Sequence, residues 1–373
     1  MQRILHILNS MNIGGTETVL MNLDRKVDRS RYQFDFVVHS TDEGAYESEI
    51  RELGGRVFRT EKYLVKNYPS YSRWWRMFLA NHPEYQIVHC HQGSVAPVCL
   101  HEANRAGRVS IAHSHGTRNP DRSPRTLAWE LNSWPTRHVA QQFLACSEEA
   151  GADRFGSKVA HSSRFHVMKN GIDVKKFEYS PVTRAEVRTR LGISESTLVV
   201  GHAGRLSPPK NHDQIITVFS SVANRRIDAV LMLVGKGERE REIRSLAKSL
   251  GIDDKVIFAG AHPNVEDYYS AMDVFLFPSH WEGLGMVAVE AQASGLPVIA
   301  SKAVPTLADV GANLFERLDL SDSVDTWADV VLSRAGGKRD GRGARAAREA
   351  GYDIADVAEW LQEYYEGLLL LSK

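Results

Sequence analysis

Cysteine, net charge and long apolar runs are all scarce in this chain, and each scarcity argues against a class of protein. The 373 residues hold only Cys90, Cys99 and Cys146, an odd number without metal-type spacing, which suits reduced thiols in a cytoplasm better than a disulfide framework. Lys plus Arg equals Asp plus Glu at 46 each, so no global charge draws the chain to nucleic acid or to a membrane. No apolar run approaches the roughly 20 residues that span a bilayer. Ile4 to Leu8, followed by a glycine turn, is too short for a signal segment. Internal repeats and low-complexity tracts are missing as well, and the nearest, Gly336 to Arg345, reads as a surface loop.

What remains is a chain of globular composition, 43% hydrophobic, long enough for two domains with a core each. Arg3 to Asn9 reads as a buried strand that runs into Gly14-Gly15 and then a helix from Thr18 to Leu23. Paired glycines between strand and helix let backbone N–H groups approach a phosphate, although a bare Gly-Gly turn also serves with no ligand. Further strands at Phe34 to His39, Arg56 to Phe58 and Gln86 to Cys90 alternate with helical stretches. That alternation predicts a parallel sheet covered by helices, with ligands beyond the carboxyl ends of its strands. After a polar, charge-rich segment from Lys175 to Glu195, the strand pattern restarts at Leu198 and recurs through Ser301. A second doubly wound domain is expected there. From Tyr352 a final helix presents Ile354, Val357, Trp360, Leu361, Tyr364 and Leu368 on one face.

Histidines mark two strand ends, His89 and His91 on one, His113 and His115 on the next. Alternation puts each pair on one face of its strand. No Asp or Glu is placed to complete a metal site, so a polar contact to substrate or a structural hydrogen bond is expected instead. His115, followed by Gly116, is the best placed. Two stretches are candidates for a second substrate. Lys62 to Phe78 mixes Lys62, Lys66, Arg73 and Arg76 with aromatic residues, and reads either as an anionic-lipid or sugar surface or as an amphipathic helix burying Trp75 and Phe78. Arg118 to Gln142, with three prolines, is expected to be a long irregular loop beside the His115 strand end.

The stretch Asp273 to Ser301 carries the most chemistry. Two short strands, Val274 to Phe277 and Pro297 to Ala300, enclose a glycine turn and a helix from Met286 to Ala293 that Gly295 ends. Glu282 precedes that helix and Glu290 lies on it. A helix start is an anion site, and buried carboxylates need donors such as sugar hydroxyls. Upstream, Arg205 and Lys210 lie five residues apart on a proline-stiffened loop, as two cations for a diphosphate would, or as a solvated pair. Val234 to Glu238 supplies another glycine turn at a strand end.

Together these motifs resemble the retaining, GT-B-fold glycosyltransferases of family four over nearly the whole length. They are GGTE at Gly14 to Glu17, the HxH strand ends, NGID at Asn170 to Asp173, GRL and KN between Gly204 and Asn211, VGKG at Val234 to Gly237, and PSHWEGLGMVAVEAQASGLPVIAS from Pro278. Glu282 and Glu290, with seven residues between them, match the family's glutamate pair. The resemblance implies two Rossmann-like domains facing across a cleft, residues 1–173 joined by a returning helix at 355–373 on the acceptor side, and residues 174–354 on the donor side. It implies that Glu290 binds ribose hydroxyls, that Glu282 contacts the donor sugar, and that Gly283, Leu284, Gly285, Met286 and Val287 wrap sugar and phosphate. Arg205 and Lys210 would neutralise the departing diphosphate. Gly14 and Gly15 would approach that diphosphate or the acceptor, while the base would lie against Gly235, Gly237 and the Phe258 to Pro263 loop. His115 would touch the donor sugar near the reacting carbon, with His113 as its rival. His91, His113 and Arg118 are expected on the acceptor side.

No Asp-x-Asp pair occurs in the sequence, so the resemblance implies a metal-independent transfer without cofactor, the nucleotide-sugar being a substrate. The expected partners are a UDP-sugar and a glycan or lipid-linked acceptor, with no nucleic acid, in a cytoplasmic protein able to lie on the inner face of a membrane. Two other readings use the same architecture, a sugar-nucleotide epimerase and a non-catalytic subunit that binds a nucleotide-sugar. The paired glutamates with the Arg/Lys set argue against both.

Overall fold

A computed structural model describes residues 1–117 and 123–371. The chain forms two compact units, Met1–Ile172 with Asp353–Lys373, and Asp173–Tyr352. The first is built on a seven-stranded sheet of β1 (Gln2–Leu8), β2 (Tyr32–Val38), β3 (Val57–Arg59), β4 (Tyr85–Cys90), β5 (Val109–Ser114), β6 (Gln142–Ala145) and β7 (Phe165–Val167). Their order is β3-β2-β1-β4-β5-β6-β7, and every pairing is parallel. Strands such as Ile4-Leu5-His6-Ile7 are buried on both faces, as parallel sheets require when helices cover each side. One face packs under the helix Tyr68–Asn81, which buries Tyr71, Trp75 and Phe78. The Lys62 to Phe78 segment is thus an amphipathic helix with its start, leaving Leu64, Val65, Tyr68 and Met77 exposed. The other face takes the helix Gly15–Lys26 and the last helix, Ile354–Leu371. Gln362 fixes that last helix by accepting from Asp28 N at 2.8 Å and from the Tyr32 hydroxyl, through its carbonyl, at 3.1 Å.

The second unit carries β8 (Leu198–Ala203), β9 (Ala229–Val234), β10 (Val256–Gly260), β11 (Val274–Phe277), β12 (Val298–Ser301) and β13 (Phe315–Leu318). They lie in the order β10-β9-β8-β11-β12-β13, again all parallel. Both units therefore have the doubly wound sheet expected of them.

Two expectations change, and one unassigned segment gains structure. The segment Arg118 to Gln142 is not an irregular loop: its described part holds the helices Pro124–Ser133 and Thr136–Val139. Ser123 caps the first by accepting from Thr126 N at 3.3 Å, and Pro124 fits the first turn, where no N–H is needed. The polar run Lys175 to Glu195 contains the helix Pro181–Arg190, whose Arg184 and Arg188 both pair with Asp273. Gly336 to Arg345 is a loop only as far as Gly341, and its Arg339 reaches inward to the carbonyls of Tyr269, Ser270 and Met272. No helix among the described residues is long and apolar enough to cross a membrane.

Candidate functional site

In the second unit the strand order turns back between β8 and β11, and doubly wound sheets bind ligands beyond the carboxyl ends of strands at such a reversal. The two loops that leave these strands are tied together. Asn211 donates from Nδ2 to the Pro278 carbonyl at 2.9 Å, and the His280 N–H donates to the Pro209 carbonyl at 2.8 Å. Asn211 is left-handed, with φ of 54°, which aims the preceding Lys210 across the gap. Lys210 Nζ then lies 2.7 Å from Glu282 Oε1 and 5.3 Å from the centre of the Phe277 ring. The ammonium and carboxylate are 19% and 10% exposed, so each meets the other with little water between. An anion arriving here would compete with Glu282 for Lys210, and a hydroxyl would compete with Lys210 for Glu282.

The helix Met286–Ala293 starts at Gly285, whose φ of 80° few other residues adopt. A Cβ there would also press on Val304 and Phe277 at 3.1 and 3.2 Å. Glu290, half-buried on this helix, accepts from the Tyr269 hydroxyl at 2.8 Å. Burial pushes its carboxyl up to about 7, against the opposing pull of that hydrogen bond. A carboxyl so held gains by meeting further donors, since each one favours the charged form.

In the first unit the corresponding reversal lies between β1 and β4, and imidazoles gather there. His6 on β1 stands opposite His89 on β4, and β5 adds His113, with His115 just past its end. His6 Nδ1 is 3.0 Å from His91 Nε2, and His91 Nδ1 is 2.8 Å from His115 Nε2. His115 Nδ1 meets Asn170 Oδ1 at 3.0 Å, while Asn170 Nδ2 donates to the His115 carbonyl at 3.1 Å. A second chain runs from the Tyr365 hydroxyl to His89 Nδ1 at 2.7 Å, and from His89 Nε2 to His113 Nδ1 at 3.1 Å. Burial lowers all five, His115 to about 4 and His6 to about 3, so the cluster is neutral at pH 7.

The structure brings Lys210 to Glu282 but does not pair Lys210 with Arg205. Arg205 is 73% exposed and holds Glu238 at 3.1 Å, because the loop turns it outward one residue before Leu206 is buried. Gly235 and Gly237 have a steric duty: a Cβ on either would come within 1.9 Å of the Gly204 carbonyl or 2.2 Å of the Leu206 carbonyl. Leu284 is buried, while Gly283, Met286 and Val287 are half-buried around the helix start. At Gly14 a Cβ would meet only the end of the Glu17 side chain, which can move aside, and Gly15 has open space, so neither glycine is demanded by packing. Arg118 lies outside the described residues. Sequence reasoning missed Tyr269 and His6. A tyrosine on a neighbouring helix gives no signal, but a histidine inside the apolar run Ile4 to Ile7 was visible.

Known proteins align with this arrangement. The profile described as Glycosyltransferase Family 4 matches residues 13–176, and that described as Glycosyl transferases group 1 matches 183–327. EpsF of Bacillus subtilis, provisionally named a glycosyltransferase, is 33% identical over 354 residues, covering 91% of this chain and 90% of EpsF. The GDP-mannose-dependent alpha-(1-6)-phosphatidylinositol monomannoside mannosyltransferase of Mycobacterium tuberculosis is 28% identical over 305 residues, or 77% of this chain and 76% of the relative. The crystal structure of Anabaena HepE in complex with UDP superposes with a TM-score of 0.81 at 20% identity, covering 98% of this chain and all of HepE, which shows a common fold. With both halves matched in order and the sheets, strand reversals and glutamate pair in place, the chain belongs to the family-four glycosyltransferases of GT-B fold.

Proposed function

We propose that the chain moves a sugar from a nucleotide-diphosphate sugar, UDP-linked in the first instance, to a glycan or lipid-linked acceptor in surface polysaccharide biosynthesis. Transfer retains the anomeric configuration and needs no metal ion. The observation that carries this reading is the Lys210–Glu282 contact at 2.7 Å over the β8 and β11 strand ends. Donor binding exchanges that contact: the diphosphate takes Lys210, and the freed Glu282 accepts from sugar hydroxyls. Arg205, whose ion pair with Glu238 is exposed, swings to the same diphosphate. Glu290 anchors the ribose as a carboxylate, with Tyr269 holding one oxygen. Charge on the leaving diphosphate is then met by Lys210 and the backbone N–H groups of the Gly283 to Val287 turn, which stabilises the transition state most. The departing phosphate takes the acceptor's proton on the face it leaves, and His115 or His113 touches the donor sugar. Absence of an Asp-x-Asp pair supports the metal-free form of this reading. Exposed Leu64, Val65 and Tyr68 beside Lys62 and Lys66 are the candidate surface for a peripheral membrane contact, testable by co-sedimentation with anionic vesicles.

UDP is favoured because HepE, of the same fold, holds UDP or UDP-glucose. A GDP-mannose donor is the second reading, favoured by the name of the mycobacterial relative. Thermal shift with UDP, GDP and ADP separates them, since a nucleotide at 100 times its Kd adds about 2.7 kcal/mol. UDP alone is expected to stabilise the protein, and Lys210→Ala to abolish the shift. Stabilisation by GDP instead would overturn the UDP assignment, and an epimerised donor formed without acceptor would overturn transfer itself.

A further inference from the structure

Five imidazoles meet at the carboxyl ends of β1, β4 and β5, more than contact with a sugar requires. We infer that His91, His113 and His115 form a site for a divalent transition ion, best matched by zinc, with His6, His89 and Asn170 as the hydrogen-bond acceptors that orient it. A ligating nitrogen from each of His91, His113 and His115 lies within 4.8 Å of the other two. Tetrahedral zinc with bonds of about 2.0–2.1 Å sets its nitrogens roughly 3.3 Å apart, a change of a few tenths of an ångström from the 2.8 Å between His91 Nδ1 and His115 Nε2. An all-imidazole set without carboxylates selects zinc, copper or nickel over magnesium or calcium.

The tautomers follow from Asn170. Its Nδ2 is committed to the His115 carbonyl, so its Oδ1 must accept from His115 Nδ1–H. His115 Nε2 is then a bare lone pair that accepts from His91 Nδ1–H, and His91 Nε2 accepts from His6 Nδ1–H. The chain ends at His6 Nε2, which is buried and has no partner among the described residues. An ion bound to His91 Nδ1 must displace the proton there, and the chain itself can take it. His91 then carries its proton on Nε2 and donates to His6 Nδ1, while the proton of His6 moves to Nε2. Three protons are shared by His115, His91 and His6 before and after, and none has to leave the protein.

His113 completes the set. Its Nδ1 faces His89 Nε2, and its Nε2 is the second buried ring nitrogen of the cluster with no partner among the described residues. Each ligand would thus donate its other ring N–H to a fixed acceptor: His91 to His6, His115 to Asn170, and His113 to His89. Metal-binding histidines are held by such partners, whose loss lowers affinity about 10–100-fold. Three protein ligands leave a fourth position for water, and half-buried His91 and His115 give the ion a way in. The ion is not a requirement of transfer. Resting on the function proposed above, it would instead occupy the imidazoles assigned to the sugar and slow the reaction.

Binding is tested without that reaction. Chelator-stripped protein is loaded with Zn2+, desalted and assayed for metal, and Co2+ loading is followed by visible absorption as a probe of coordination. Wild type and the exposed control His161→Gln are expected to keep one equivalent and to give the intense bands of four-coordinate Co2+. His91→Gln and His113→Gln are expected to keep none, and Asn170→Ala to bind about 10–100-fold more weakly. Wild type that retains no metal and shows no such bands overturns the site, whatever the variants do. Undiminished binding by folded His91→Gln overturns it equally.

Discussion

At the scale of single residues, Glu290 and Asp24 are the carboxyl groups that burial pushes furthest toward the neutral form. Burial pushes both Glu290 and Asp24 up to about 7, and among the described residues neither carboxyl oxygen of Asp24 has a hydrogen-bond partner, because Arg29 donates to the Asp24 backbone carbonyl instead and stays 3.7 Å from the carboxylate. An acid with a raised folded value binds its proton more tightly folded than unfolded, so folding stability falls as pH rises from about 4 to about 7 and then levels off. Asp24→Asn is therefore expected to raise Tm at pH 8, through a gain in stability of about 4 kcal/mol at most, and to have little effect at pH 4. Melting curves of both proteins across that range decide it, and an equal gain at both ends would mean the carboxyl is not the cause. Glu290→Gln should show the same pH signature yet lose the stabilisation by UDP, which separates a ligand-binding acid from a merely buried one. Glu290 was legible because its spacing from Glu282 is a motif. The Lys210 contact was not, because five residues of separation from Arg205 say nothing about which way a loop turns either side chain.

Among the elements, the helix Val265–Ala271 is the support on which the donor site depends, since it carries Tyr269 to Glu290. Three arginines close its carboxyl end. Arg188 donates to the Ala271 carbonyl at 3.0 Å, Arg184 reaches Ser270 and Ala271 weakly, and Arg339 donates to Tyr269 and Ser270 at 3.1 Å each. Cations there complement the helix dipole, and Asp273 balances Arg184 and Arg188. Arg339→Met keeps the stem but strands buried carbonyls, so a loss of about 2–4 kcal/mol is expected in urea unfolding. Weaker UDP binding should accompany it, and unchanged binding would show that Tyr269 keeps its place without this clamp. Strands and the Met286–Ala293 helix were readable from apolar runs and glycine stops. A glycine- and arginine-rich loop, by contrast, has the composition of solvated chain, and only packing reveals that Arg339 turns inward to the carbonyls of a neighbouring helix. Strand β13 (Phe315–Leu318) was equally silent, because its residues are only half-buried and carry Glu316 and Arg317.

For the whole molecule, the last helix completes the first unit rather than the second. Ile354, Val357, Leu361, Tyr365 and Leu368 are buried in the core that also holds Leu20, Leu23 and Phe34. Burying each such side chain contributes about 1.5–3 kcal/mol, comparable in sum to the stability of a domain. Residues 173–352 expressed alone should melt cooperatively, whereas 1–172 should fold only when a peptide of 353–371 is supplied. Independent, cooperative melting of 1–172 would refute the dependence. The two places where the chain crosses between units also meet, with Ile354 N donating to the Ile172 carbonyl at 2.8 Å. The second unit is thus an insertion into the first, and this orders events on the ribosome. After residue 172 is made, 199 more must be added to reach Leu371. At 5–20 residues per second that is a wait of about 10–40 s. Throughout it the nascent first unit displays an uncovered apolar groove, so the half of the enzyme translated first is the half that must finish last.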